Sequence, residues 1–159
     1  MKAPSIFVGT ILVLAFFSSR IGAGALLPDP VHVPLTVLHG RLYVRAALQG
    51  QAQPNWWLVD TGSRRSVIDW KIKETNQIPV RPSGTLHFVL TAGLLQTSNG
   101  DLQNLKIGLL DVSKKYVQFA RLTISLLGFS HPFGGIIGGD LLWDHQAILD
   151  IGERTLYLK

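Results

Sequence analysis

The 159-residue sequence contains no cysteine. This absence excludes disulfide bonds, cysteine nucleophiles, iron–sulfur clusters and thiolate zinc sites. Charged residues are also few, at 16% of the chain, whereas 47% of the residues are hydrophobic and 9% are aromatic. Disordered chains have the opposite balance, and a chain of this length forms one domain. The sequence therefore excludes a disordered protein and a two-lobed enzyme of several hundred residues.

The chain also lacks a concentrated basic region. Its formal net charge is +5, and the basic residues are scattered except for the pairs Arg64 with Arg65 and Lys114 with Lys115. Neither pair lies among the aromatic residues that a platform for single-stranded nucleic acid requires. We therefore predict no nucleic-acid partner. For Arg64 and Arg65 three roles stay open: bracing a turn, meeting acidic groups of a substrate, or solvated surface charge.

Several catalytic and cofactor motifs are missing. The sequence has no H-E-x-x-H, and its five histidines fit no pattern of metal ligands. It has no G-x-S-x-G, which argues against a serine hydrolase built on Ser63 or Ser66. Its glycine cluster at residues 134–139 does not have the spacing of a phosphate-binding loop. We therefore expect neither a metal nor a cofactor.

Residues 1–25 have the layout of an export signal. Lys2 precedes an apolar run over residues 3–17, and the segment ends on the small residues Ala23, Gly24 and Ala25. The run is shorter than the about 20 apolar residues that span a bilayer. We predict a secretory signal over residues 1–25 and a periplasmic or secreted domain over residues 26–159. The alternative is an uncleaved anchor over residues 6–27, which is the one membrane contact we expect.

The remaining chain is typical of an all-β domain. Short runs of β-branched and aromatic residues are separated by turn signals. The predicted strands cover residues 31–38, 41–48, 56–60, 66–69, 85–91, 101–110, 117–127, 136–137, 146–151 and 155–159. Residues 96–100 are predicted as the polar tip of a long hairpin, residues 128–135 as a loop, and residues 141–145 as a short helix capped by Asp140.

The main candidate for chemistry is Asp60, within residues 58–63 (LVDTGS). Apolar residues before it favour burial, which is costly for a carboxylate unless it is hydrogen-bonded or shares a proton. Gly62 allows a sharp turn and leaves room for a close neighbour. The hydroxyl groups of Thr61 and Ser63 can orient the carboxylate or brace the loop. Trp56 and Trp57, just upstream, are interpreted as packing residues.

A lone Asp-Thr-Gly arises by chance, so its context carries the interpretation. A strand resumes at residues 66–68, and residues 135–142 (GIIGGDLL) place an apolar pair and glycines before a short helix. In this order the motifs resemble the retropepsin-like aspartic proteases, in their single-domain exported bacterial form. Residues 58–63 are similar to the catalytic motif of that family. Ile136, Ile137 and Gly138 resemble its second signature, which passes behind the active-site loop.

The resemblance extends over nearly the whole of residues 26–159. Residues 91–108 stand where the family has its flap hairpin, so Thr91, Ala92 and Gly93 are the predicted flap residues. Residues 147–158 look like the final hairpin of such domains. The resemblance therefore implies a retropepsin-like closed β-barrel with a flap hairpin and one short C-terminal helix.

The resemblance also implies an aspartic endopeptidase, in which two aspartates activate a water against a peptide bond. The chain has one Asp-Thr-Gly, so a homodimer would supply Asp60 twice and take a polypeptide substrate. Thr61 would brace the two loops, and Ser63 would donate a hydrogen bond to the outer oxygen of Asp60. The alternative is a non-catalytic exported β-barrel that serves as a binding module on the same fold.

Overall fold

The computed structural model describes residues 29–88, 93–122 and 132–159, with side chains described in these ranges except at 85–88 and 93–95. The predicted export signal over residues 1–25 and the predicted flap residues Thr91 and Ala92 lie outside these ranges. Within the described residues, no helix is long and apolar enough to cross a membrane.

The chain folds mainly as β-strands, in agreement with the predicted all-β domain. The elements in chain order are β1 (Val31–Pro34), β2 (Thr36–Leu38), β3 (Arg41–Leu48), β4 (Asn55–Val59), β5 (Val67–Asp69), α1 (Trp70–Thr75), β6 (Val80–Phe88), β7 (Gly93–Ile107), β8 (Leu110–Ala120), β9 (Phe133–Ile137), α2 (Gly139–Asp144), β10 (Ile148–Asp150) and β11 (Thr155–Leu158).

The strands form a closed barrel and a small second sheet. The larger sheet has the order β2-β3-β4-β9-β5-β8-β7-β6, and an additional pairing of β3 with β7 closes it into a barrel of six strands. The smaller sheet has the order β1-β11-β10 and is antiparallel. The closed barrel, the final hairpin β10–β11 and the C-terminal helix α2 confirm the predicted fold class. Helix α1 is an additional element, which sequence analysis did not predict because only Ile72 of its six residues is buried.

Several local predictions were wrong. The predicted strand over residues 31–38 is interrupted at Leu35, and its halves pair with β11 and β3. The predicted polar tip at residues 96–100 lies inside β7, opposite β6, because cross-strand partners satisfy polar groups there: the Thr97 hydroxyl donates to the Gly84 carbonyl at 3.2 Å. Gly134 and Gly135, predicted in a loop, lie in β9, where they pack on Trp57.

Trp57 fills the region where β4 meets β9. Its side chain is fully buried, and its indole Nε1 donates a hydrogen bond to the Ala46 carbonyl at 3.1 Å. Gly134 lies so close to the indole that a Cβ atom would overlap it, and Gly135 has φ +152°. The interpretation of Trp57 as a packing residue is confirmed, and the two glycines allow β9 to approach β4.

We expect Gly134→Ala to lower the free energy of unfolding by about 3 kcal/mol, because the added methyl group overlaps a buried indole within a close-packed core. Urea denaturation followed by tryptophan fluorescence measures this. Gly152→Ala is the control, since its Cβ would meet Asp150 at an ordinary 3.4 Å. Equal losses in the two variants would contradict the proposed packing.

Candidate active site

Asp60 lies where β4 leaves the barrel. The side chains of Trp57, Leu58 and Val59 before it are buried, so the strand carries the aspartate to the edge of the core. Strand β4 runs parallel to β9, with Val59 opposite Ile137. The Asp60 amide donates a hydrogen bond to the Ile137 carbonyl at 3.0 Å. Ile136 and Ile137 therefore lie in the strand whose pairing with β4 holds the Asp60 backbone in place.

Residues 60–63 form a tight turn that orients the carboxylate. The Ser63 amide donates to the Asp60 carbonyl at 3.2 Å, and the Gly62 amide donates to Asp60 Oδ1 at 3.0 Å. A Cβ on Gly62 would lie 3.3 Å from Oδ1, a tight contact that would require the carboxylate to shift slightly. Asp60 is half-buried, whereas Thr61 and Gly62 are exposed. One carboxylate oxygen is thus positioned by the backbone at a site open to solvent.

The predicted role of Ser63 requires a correction. Its hydroxyl does not donate to the outer oxygen of Asp60 but to the carbonyl of Arg65, at 2.7 Å. This bond closes the bend that follows the turn. Ser63 therefore shapes the backbone of the loop.

The glycines before α2 pack against the back of the loop. The Gly139 amide donates to the Ser63 carbonyl at 2.7 Å. A Cβ on Gly138 would lie 2.5 Å from the Arg65 carbonyl oxygen, so no larger residue fits there without a backbone shift. Gly138 therefore lies against the backbone of the loop that follows Asp60. Gly138 and Gly139 allow the backbone before α2 to approach the backbone of residues 63–65 closely.

Sequence analysis missed a buried link between the loop and α2. Ser66 is fully buried, and its amide and hydroxyl both donate to Asp140 Oδ1, at 2.8 and 2.6 Å. The Gly138 amide in turn donates to Ser66 Oγ at 2.9 Å. The predicted cap at Asp140 is wrong in detail, because Gly138 is the N-cap and Asp140 lies in the first turn, where it accepts from Leu141. A serine preceding a buried strand was the available signal, but its partner lies 74 residues away.

The other acids at strand ends have structural roles. Asp69 is 2% exposed, and its carboxylate accepts from the amides of Lys71 and Leu122. Burial raises the pKa of Asp69 above its ordinary value, since hydrogen bonds offset only part of the lost hydration. Because the pKa of Asp69 is higher in the folded than in the unfolded chain, protonated Asp69 favours the folded state at low pH. This stabilisation is lost as pH rises through the folded pKa. Asp150 accepts from the Glu153 amide in the last hairpin. Both carboxylates therefore serve as acceptors for nearby backbone amides.

A groove of about 810 Å³ opens beside the loop, lined by Thr61, Gly139, Leu142, Trp143, Asp144, Gln146 and Ala147. The Trp143 side chain is 85% exposed, although tryptophan is usually well buried. In the described ranges no cluster of three or more potential metal ligands occurs. Of the predicted flap residues, Gly93 begins β7 opposite Phe88, and the other two lie outside the described residues.

We expect Ser66→Ala to lower the free energy of unfolding by about 2 kcal/mol, because it leaves the buried Gly138 amide without its acceptor and removes one donor to Asp140. Urea denaturation measures the loss. Ser113→Ala is the matched control, since the Ser113 hydroxyl accepts from the Asn104 amide at an exposed position. Equal free energies of unfolding for Ser66→Ala and Ser113→Ala would contradict the proposed structural role of the Ser66 hydrogen bonds.

Comparison with known proteins supports the fold. No protein-family model matches the chain, and no curated protein does. A retropepsin-like aspartic protease from Rickettsia conorii matches with TM-score 0.53 and 14% identity, covering 80% of this chain and 98% of that one. The EIAV protease, solved with the inhibitor HBY-793, matches with TM-score 0.50 and 17% identity, covering 67% of this chain and 89% of that one. The chain therefore has the retropepsin-like fold.

Proposed function

We propose that this protein is an aspartic endopeptidase whose active site forms from Asp60 of two identical chains. The observation that supports this most directly is the turn at residues 60–63, which fixes a half-buried carboxylate at the open end of a retropepsin-like barrel. No ion pair to Asp60 is found among the described residues, so no lysine or arginine side chain there occupies its carboxylate.

The chemistry needs two carboxylates side by side, of which one keeps a proton because two like charges at contact do not both ionise. The ionised Asp60 takes a proton from water as the water oxygen attacks the peptide carbonyl carbon. The protonated Asp60 of the other chain donates to the carbonyl oxygen. The tetrahedral intermediate then collapses as the Asp60 that took the proton from water gives it to the amide nitrogen and the C–N bond breaks. The other Asp60 takes a proton from a hydroxyl group of the intermediate, which becomes the product carboxyl group. Both carboxylates thereby return to the protonation states in which they began.

A two-fold dimer is required because this chain contributes one such aspartate. The acids Asp69, Asp140 and Asp150 are engaged by backbone or serine donors elsewhere. An isologous dimer that joins two Asp60 turns also brings their neighbouring Thr61 residues together. We further propose that the enzyme acts outside the cytoplasm, after removal of residues 1–25.

The groove beside Thr61 supports this assembly. Trp143 of α2 is exposed there, and Ile148 on the adjoining strand β10 is 61% exposed. In the described part of the chain, β10 pairs only with β11, which leaves its other edge open. Burying a tryptophan and an open strand edge against a second copy would stabilise the dimer, since tryptophan is frequent among residues that dominate interface energies.

We expect Asp60→Asn to lower the rate of peptide cleavage by at least about 10³-fold, because an amide neither accepts the proton from water nor donates one as an acid. A peptide-library assay across pH, with cleavage read by mass spectrometry, measures this. Asp111→Asn, a substitution at an exposed residue next to the β7–β8 turn, is the control. Equal cleavage by wild type and Asp60→Asn would refute the assignment, and a wild type that cleaves nothing would favour a binding module.

We expect Trp143→Glu to weaken dimerisation at least tenfold and to lower cleavage in proportion, because it places a charge in the proposed interface. Sedimentation velocity over a concentration series measures the dimer. The control is Leu109→Glu, which adds the same charge at a residue 93% exposed on the β7–β8 turn. A Trp143→Glu protein that remains fully dimeric would exclude this face as the interface.

A further inference from the structure

Arg64 and Arg65 are exposed cations directly after the active-site turn. Of the ion pairs among the described residues, none includes either of them. Two other arginines have partners: Arg121 pairs with Glu74 and lies over Trp70, and Arg45 donates to the Pro54 carbonyl and lies over Trp56. Two adjacent, exposed arginines without an acidic partner therefore follow the aspartate that we assign to catalysis by four and five residues.

The backbone beneath these side chains is held on both sides. The Ser63 carbonyl accepts from Gly139, the Arg65 carbonyl accepts from the Ser63 hydroxyl, and Ser66 is anchored to Asp140. A Cβ on Gly138 would already collide with the Arg65 carbonyl, so the loop is also packed from behind. The two side chains are thus presented to solvent from a fixed base, and little backbone entropy would be lost when they bind a ligand.

Their distance from Asp60 suits contacts with a peptide. The turn that joins Asp60 to Ser63 brings these two Cα atoms within about 7 Å of each other. An extended peptide advances about 3.3 Å per residue, so a side chain two or three residues from the scissile bond lies about 7 to 10 Å from the reacting atoms. Arginine side chains that start one or two residues beyond the turn are long enough to span this distance, and guanidinium groups bind carboxylates with paired hydrogen bonds.

We propose that Arg64 and Arg65 select peptides with acidic side chains two or three residues from the scissile bond. This inference rests on the proposed function only for the location of the peptide. A two-fold dimer repeats the arginine pair on the other side of the active site. The preference therefore applies on both sides of the scissile bond.

The test uses Asp60→Asn protein, so that binding is measured without cleavage. The probes are two labelled libraries of eight-residue peptides with apolar centres, which carry Glu or Gln at the second and third positions on both sides of the central bond. We expect the Glu library to bind about three- to tenfold more tightly by fluorescence anisotropy, with the preference shrinking as salt is raised.

The preference should vanish when Arg64→Gln and Arg65→Gln are added to Asp60→Asn. It should persist when the exposed residues of β6 and the last hairpin are changed instead, as Arg81→Gln and Arg154→Gln, which remove the same charge elsewhere. Equal binding of both libraries, no measurable binding of either, or a preference that survives Arg64→Gln and Arg65→Gln would overturn the inference. So would dissociation of the dimer by these two substitutions, since the arginines would then serve the interface.

Cleavage of the same libraries by wild-type protein separates the two proposals. Cleavage without preference for Glu would overturn the role of the arginines and leave the protease intact. A preference in binding that depends on Arg64 and Arg65, without cleavage of either library, would support acidic-peptide recognition and contradict catalysis.

Discussion

Two backbone hydrogen bonds hold the Asp60 turn against the segment that runs behind it, and the candidate site depends on this contact. The Asp60 amide donates to Ile137, and the Gly139 amide donates to the carbonyl of Ser63. Both bonds require β9 and the start of α2 to approach the loop at backbone distance. Glycine meets that requirement at Gly134, Gly135 and Gly138, where a side chain would overlap an indole or a backbone carbonyl. These glycines therefore help to position Asp60, which lies some 75 residues earlier in the chain. Asp60 directly follows β4, the strand that pairs with β9.

The same contact explains the division between rigid and open parts of the site. Behind the turn, Ser66 and Asp140 complete a buried network, so the loop has a fixed backbone. In front of it, Thr61 lies exposed beside a groove with an exposed Trp143, and an orienting amide occupies one oxygen of Asp60. A rigid base below and an open face above are suited to a site that a second copy of the chain completes, with its substrate between the two.

Much of the fold was readable from local pattern. Alternation and turn residues predicted β3 with its observed bounds, and placed β4, β11 and α2 to within a few residues. The hairpin of β6 and β7 was located, but its tip was placed too late, because a polar run was interpreted as a turn. Thr97 shows the physical reason: its hydroxyl is satisfied across the strand pair, so polarity there does not indicate exposure to solvent. The residue pattern of one strand does not show which strand pairs with it or which polar groups that strand supplies.

Asp60 and its turn follow from local chemistry: an apolar strand ends, glycine permits the reversal, and the amide of Gly62 lies within reach of the carboxylate. These interactions span a few residues, so the linear order of residue types is enough to predict them. The pairing of Ser66 with Asp140 and the grouping of Thr61 with Trp143 on one face follow from how the barrel closes. They join residues that are close in space but up to about 80 positions apart in the chain, where several partners are equally compatible with the residue types and packing selects one.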